Sequence, residues 1–454
     1  MTRNHHEIDA GRVEAALAAD DPKAVLRLIE ERHPADIADA IEPLPETLKR
    51  RVFELLDPET AADVLVELND PSREEILEET SPARLAEIAG EMESDDAADL
   101  IAELPRETAA LVLRNMGREE METVTELLRY PEDTAGGIMK RELLAIPEDG
   151  TVAQAVRALQ GLAQQGEVED IHNVLVVDRE GRLVGIIPLG RLLLVDGATP
   201  IRKAMNLDPV RVETGVDQEE VASIFKKYNL VSLPVVNAGG RLVGSITVDD
   251  VVDVLEEESI EDMLLMSGVD EDDRIFCPPS QSVRKRLPWL YINLATALIA
   301  VSIVALFEDT ISRMVTLAVF LPVVAMLGGN TGMQTLTLIT RGIAMGEVGW
   351  NNIWRALANE SLVALANGVA VGTVMEIGTY LWRGDWMLGC VIGLALIANM
   401  FVAGTVGTLT PVVLKRMRID PAVASGIIVT TFTDAFGYFS FLGLATLALE
   451  YLGL

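Results

Sequence analysis

The last 168 of the 454 residues form five apolar stretches separated by short polar connectors, which constrains the fold more than any other feature. The stretches run from about Leu287 to Phe307, Met314 to Thr340, Ile353 to Leu381, Trp386 to Leu414 and Pro421 to Leu449. Each is long enough for a tilted helix to cross a hydrocarbon core of about 30 Å. Charge follows the same partition. This tail holds nine acids and seven bases, so the first 286 residues carry nearly all of a net charge of −33.

Basic residues set the expected orientation. Arg284, Lys285 and Arg286 precede the first stretch, Arg341 and Arg355 bracket the loop after the second, and Lys415, Arg416 and Arg418 follow the fourth. The other two connectors hold only Arg313 and Arg383. A cytoplasmic excess of Lys and Arg places the N-terminus inside and, after five crossings, Leu454 outside. The polar N-terminus has no apolar signal-peptide core, as expected of a multi-pass cell-membrane protein whose N-terminal domains stay in the cytoplasm. Trp289, Tyr291, Tyr380, Trp382 and Trp386 lie near span ends, where aromatic side chains anchor at the interface.

One carboxylate, Asp434, stands within the last stretch. Placing an ionised Asp at bilayer depth costs about 2.5 to 3.5 kcal/mol on insertion scales, so such a residue marks a candidate functional site. Glu360 and Glu376 fall near the ends of the third stretch, where snorkelling to the interface accounts for them.

Other chemistries find little support. Cys277 and Cys390 stand alone, and His5, His6, His33 and His172 show no metal-binding spacing. There is no GxxxxGK[ST] loop and no DKTG string, which disfavours an ATP-driven pump. Passive influx suffices, because a membrane potential of about 100 mV is worth roughly 2.3 kcal/mol per charge. No enzymatic activity and no nucleic-acid partner are expected.

The soluble part divides further. Up to about Tyr130 the strings ADAIEPL from Ala38, ADVLVEL from Ala62 and ADLIAEL from Ala98 repeat weakly between Pro and Asp-Pro breakers, which predicts a superhelical stack of short helices. Any single acid on it reads as a solvated face. From about Glu132 to Leu255 a duplication is clearer. RLVGII at 182–187 recurs as RLVGSI at 241–246, and HNVLVVD at 172–178 recurs as VSLPVVN at 231–237. Each copy reads helix, strand, Gly turn, strand, helix. This resembles a tandem pair of cystathionine-β-synthase (CBS) domains, a regulatory module. In that family a Gly-h-x-Thr/Ser-x-x-Asp ending often holds a nucleotide ribose, and Gly244 to Asp250 fits it with Thr247 and Asp250 as the candidate pair. The same pair also reads as the cap of the following helix.

That helix, Asp249 to about Asp262, carries Asp253, Glu256, Glu257, Glu258, Glu261 and Asp262. So many carboxylates along one short helix repel unless something neutralises them, and a divalent cation would do so. A solvated connector is the other reading.

In the membrane part, the second stretch reads LPVVAMLGGNTGMQ at 321–334, and the fifth contains DPAVASG at 420–426 and TTFTD at 430–434. With the acidic helical N-domain, paired CBS modules and five spans, the chain resembles the MgtE family of magnesium channels along essentially its whole length. The implied fold is a multidomain membrane protein. It comprises an α-superhelical N-domain (1–131), α/β tandem CBS domains (132–199 and 200–250), an acidic connecting helix and linker (251–284), and a five-helix all-α transmembrane domain (285–454).

The resemblance further implies a homodimer in membrane lipid, with the second and fifth helices of both chains lining one pore. Asp434 matches the family's intramembrane aspartate and would bind a hydrated ion opposite its copy. Gly426, eight residues earlier, stands where relatives can have Asn. Mg²⁺ dehydrates reluctantly, so its pathway needs a few oxygens around a hydrated ion. Gly328, Gly329 and Gly426 allow close helix approach and exposed carbonyls, while Asn330, Gln334, Thr430 and Thr431 either bind water or hydrogen-bond between helices.

Regulatory Mg²⁺ ligands implied by the family are Asp95 and Asp99, then Asp217, Glu219 and Asp250, then Glu258, Glu261 and Asp262, the last shortening the family's ExxEE pattern. Asp217 and Glu219 equally suit a helix N-terminus. The resulting expectation is Mg²⁺ uptake down its gradient, closed by cytosolic Mg²⁺, with ATP admitted as a regulatory ligand. The alternative is a secondary transporter of Co²⁺, Mn²⁺ or Ni²⁺ coupled to a second ion.

Overall fold

The computed structural model describes residue 8 and residues 10–30, 32–163, 171–270, 273, 275, 278–423 and 425–452. His5, His6, Cys277, Ala424 and Leu454, named above, lie outside the described residues. The chain divides into two compact units, Met1–Glu256 and Glu257–Leu454.

The first unit begins with short helices: α1 (Ala10–Ala18), α2 (Pro22–Ile29), α3 (Pro34–Ile41), α4 (Glu46–Phe53), α5 (Pro58–Glu67), α6 (Asp70–Glu79), α7 (Pro82–Ala89), α8 (Ser94–Glu103), α9 (Arg106–Asn115) and α10 (Arg118–Leu127). The sequence breakers are their starting signals. Asp21, Asp57, Asn69 and Ser81 each accept a hydrogen bond from the backbone N–H three residues on. A proline fills the first or second helical position, where its missing donor costs nothing. Ile37, Phe53, Leu65, Ile76, Leu85 and Ile88 then bury their side chains in one apolar cluster.

Two small sheets follow. In the first, β1 (Ala145–Pro147) runs parallel to β2 (Asn173–Val177), which pairs antiparallel with β3 (Leu183–Pro188), itself paired with β4 (Asn206–Leu207). α11 (Val152–Ala163) connects β1 to β2, and α12 (Leu189–Leu192) and α13 (Ile201–Ala204) follow β3. The second repeats the plan with β5 (Val212–Glu213), α14 (Gln218–Tyr228), β6 (Ser232–Val236) and β7 (Leu242–Thr247). Equivalent positions keep equivalent register, Val174 facing Ile187 and Leu233 facing Ile246.

The copies also exchange edges. β4 belongs to the second copy yet pairs with the first sheet, while Lys140 belongs to the first copy yet exchanges backbone hydrogen bonds of 2.9 and 3.0 Å with Ser245 on β7. The second sheet shares its core with the helical array, since Val212, Phe225, Val235, Ile246, Val251 and Val254 join the same cluster. The first sheet keeps a separate core around Val174, Val176 and Ile187. From β7 the chain passes directly into α15 (Val248–Met266).

The second unit contains α16 (Pro279–Ala305), α17 (Glu308–Arg313), α18 (Thr316–Ala344), α19 (Ile353–Arg383), α20 (Trp386–Arg416) and α21 (Ser425–Leu452). Of these, α16, α18, α19, α20 and α21 are long and apolar enough to cross a membrane. α20 is the central one: 61% of its most apolar window is buried, against 6% for α16. Apolar burial gives little drive between helices in lipid, so close packing of small residues holds the contact. A Cβ on Gly372 would lie 2.8 Å from the Gly393 carbonyl oxygen, so α19 and α20 approach there only as glycines.

Glu360 corrects the sequence reading. It does not reach the interface but is 8% exposed, with a carboxylate oxygen 3.5 Å from Thr335 Oγ1. α20 closes over it because Gly404 places no side chain against the Glu360 carbonyl. Glu376 also turns inward, accepting a hydrogen bond of 3.0 Å from Cys390 Sγ.

Candidate ion pathway and acidic cluster

Gly426, Thr430 and Asp434 recur every fourth residue and so share one face of α21. Asp434 lies nine residues, or about 14 Å, along this helix. It is half-buried and has no hydrogen-bond or ion-pair partner among the described residues. The hydroxyls of Thr430 and Thr431 donate to carbonyls of their own helix, at Gly426 (2.9 Å) and Ile427 (2.6 Å). Interhelical bonding is therefore not their role within this chain, and each oxygen keeps acceptor capacity.

α18 meets this helix through small residues. A Cβ on Gly332 would stand 2.5 Å from Val429, and Met333 lies against Gly426. Beside that contact Asn330 and Gln334 are exposed, lining with Met333, Thr337, Leu338 and Arg341 an open groove of about 570 Å³. Gly329 has open space around it, whereas Gly328 is buried against Asn399 of α20.

Asn399 is fully buried and donates 3.0 Å from Nδ2 to the Val324 carbonyl of α18. Gly328 of α18 and Gly437 of α21 both give way to its amide, so one side chain is wedged among three helices. The sequence reading passed over it. The available signal was an amide isolated in the most apolar span, where an unsatisfied polar group is costly.

In the first unit Asp95 is 6% exposed, and one of its oxygens, Oδ1, is buried without a hydrogen-bond partner. Carboxylate oxygens of Glu93, Asp95 and Asp96 lie within 4.8 Å of one another. Burial, with the charges of Asp96 and Asp250, pushes the Asp95 carboxyl well above the usual range. Burial and Asp250 likewise raise Asp96, to about 6. Asp99 sits one turn along α8 and is exposed.

Asp250 accepts from the Thr247 backbone N–H (3.0 Å) and hydroxyl (2.7 Å), closing a cap at the start of α15. With Thr247 only 2% exposed, that hydroxyl is committed within the chain, as the capping alternative expects. Asp217 caps α14 by accepting 2.9 Å from the Glu219 N–H, and both are exposed. Glu258, Glu261 and Asp262 are half-buried on one face of α15 at spacings of three and four.

The cluster at Asp95 offers oxygen donors only, which suits a hard cation such as Mg²⁺. Glu93, Asp96 and Asp249 belong with Asp95 and Asp250 but were not singled out from sequence.

Known proteins match the same segments. A family profile described as a divalent cation transporter matches residues 321–444, the MgtE intracellular N domain matches 32–133, and CBS domains match 135–196 and 201–257. The magnesium transporter MgtE of Thermus thermophilus is 38% identical over 443 residues, 96% of this chain and 98% of that protein. The magnesium transporter MgtE of Bacillus subtilis is 30% identical over 92% of each. A crystal structure of the cytosolic domain of the Mg²⁺ channel MgtE in complex with ATP is similar at a TM-score of 0.51 and 37% identity, spanning 54% of this chain and 99% of that one. Identity sustained over nearly the full length of both proteins, with N-domain, CBS pair and membrane segment each matched in order, shows that the chain belongs to the MgtE family.

Proposed function

We propose that the chain is a homodimeric cell-membrane channel that admits Mg²⁺ down its electrochemical gradient and is closed by cytosolic Mg²⁺. The observation that carries this is Asp434, a carboxylate in an apolar span with no hydrogen-bond or ion-pair partner among the described residues. An acid so placed is stabilised by a cation from outside the chain. Its face of α21 also offers Gly426 and the Thr430 oxygen, and Asn330 and Gln334 stand free on α18 to hold water. Such a set suits an ion that keeps much of its hydration shell. Relatives named magnesium transporters support the choice of ion.

Closure is assigned to carboxylates of the N-terminal array, the CBS pair and α15: Asp95, Asp99, Asp250, Glu258, Glu261 and Asp262. Mg²⁺ shifts such a gate only by binding the closed state more tightly than the open one. Asp217 also caps α14, and its exposed carboxylate and that of Glu219 complete the set of proposed ligands on the second CBS copy. The N-terminal regions face the cytoplasm and the C-terminus lies outside. The related cytosolic domain in complex with ATP supports ATP as a regulatory ligand of the CBS pair.

The test is flux into liposomes reconstituted with the full chain under an imposed inside-negative potential. Mg²⁺ should enter without any second ion, and Ca²⁺ should enter far more slowly. Uptake that saturates and requires a second ion would replace the channel with a coupled carrier.

A further inference from the structure

Lys140 is 1% exposed, an unusual place for an ammonium. Its Nζ lies 2.5 Å from Glu93, 3.6 Å from Asp249 and 3.6 Å from Asp250. Glu93 immediately precedes α8 of the helical array, whereas Asp249 and Asp250 open α15 at the end of the second CBS copy. Lys140 therefore joins carboxylates from two domains that share one core. Backbone bonds to Ser245 fix its position on β7, and Arg141 N donates 2.8 Å to Ser94 Oγ at the start of α8. With Asp95 and Asp96 beside Glu93, five carboxylates surround one positive charge, and Asp95 Oδ1 is still unpartnered.

We infer that Lys140 is a built-in counter-cation: its ammonium latches the N-terminal array to the second CBS copy without a divalent ion, and its charge weakens divalent binding at Asp95 and Asp96. Removing one partner from a buried ion pair leaves uncompensated charge, so the acids without Lys140 need a substitute. An ion in solution supplies one. Regulation by Mg²⁺ then falls mainly on other carboxylates, those of α15 above all. This step rests on reading the cytosolic acids as a cation sensor, but the latch itself does not.

The test is hydrogen exchange of the full chain in nanodiscs, followed at α8 and at residues 248–254, in EDTA and in 10 mM Mg²⁺. In the wild type, protection there should change less than threefold between the two conditions. In Lys140→Met, exchange in EDTA should rise at least tenfold and return on adding Mg²⁺, while Lys140→Arg, which keeps the charge, should stay closer to wild type. Wild-type α8 that opens in EDTA and closes with Mg²⁺ would overturn the latch while supporting the sensor. A Lys140→Met protein that opens and is not restored by Mg²⁺ would overturn the substitution of one cation for another. If residues 256–266 of α15, followed in the same samples, show no response to Mg²⁺ in the wild type, the sensor reading fails on its own and the latch stands.

Discussion

Two of the sites that withdraw carboxylates from water differ in where a compensating cation would come from. On α21 Asp434 is half-buried without a hydrogen-bond or ion-pair partner among the described residues. Beside α8, Glu93, Asp249 and Asp250 close on the buried ammonium of Lys140. A tethered ammonium cannot leave, so it suits a contact that persists. The conducting site proposed at Asp434 must exchange its ion, and a fixed internal partner would compete with it. The surroundings differ accordingly: α8 and β7 draw on a core shared between domains, while α21 lies against α18 through Gly332 and next to an open groove.

The largest effect that would break this contrast comes from removing the exchangeable site. Asp434→Ala should lower Mg²⁺ flux about 100-fold or more, since losing roughly 3 kcal/mol of charge stabilisation corresponds to that factor. Folding should be unaffected, because no hydrogen bond or ion pair among the described residues depends on this carboxylate. Flux in liposomes together with size-exclusion profiles checks both halves, and selective Mg²⁺ flux at the wild-type rate would refute the pore assignment.

A smaller effect sharpens the account of how the pore helices are held. Asn399→Ala removes the side-chain bond to the Val324 carbonyl and leaves a cavity among three helices, and should cost about 1 to 3 kcal/mol of stability, read as a lower melting temperature in detergent. Gly328→Ala alone would place a Cβ 2.1 Å from Asn399 Nδ2, forcing α18 away from α20. Combined with Asn399→Ala the same methyl fills vacated space, so the double variant should be more stable than the two single losses added together. Simple additivity would show that Asn399 is not the wedge.

Legibility from sequence followed the range of the interactions involved. The five spans and the Pro-started helices were readable because their signals are local: apolar runs, and a capping residue just ahead of a proline. Asp434 was readable because a single charge in such a run has no ordinary explanation. Lys140 was not, since its partner Glu93 is 47 residues away and Asp249 more than a hundred, and a lone base in an acidic half reads as solvated. The edge exchange between the CBS copies was hidden for the same reason. Glu360 was misread because its nearness to a span end suggested an exposed head group, whereas the glycine that lets α20 cover it lies 44 residues on. Thr247 and Asp250 carried two meanings in the sequence, a nucleotide contact and a helix cap, and the 2.7 Å bond between them leaves both compatible with the start of α15.

The contrast between an exchangeable and a built-in cation is tested most directly by recording Mg²⁺ current from excised patches while Mg²⁺ is varied on the cytoplasmic face alone. The wild type should close as cytoplasmic Mg²⁺ rises through the millimolar range. The combined Glu258→Ala, Glu261→Ala and Asp262→Ala variant should remain open at the concentration that closes the wild type, because it lacks the proposed sensor ligands on α15 while Asp434 is untouched. Fewer negative charges also mean less repulsion, which opposes this effect, but solvated charges are screened and a shared divalent ion discriminates the two states more strongly. A triple variant that still closes at the wild-type concentration, or a wild-type current indifferent to cytoplasmic Mg²⁺, would contradict it.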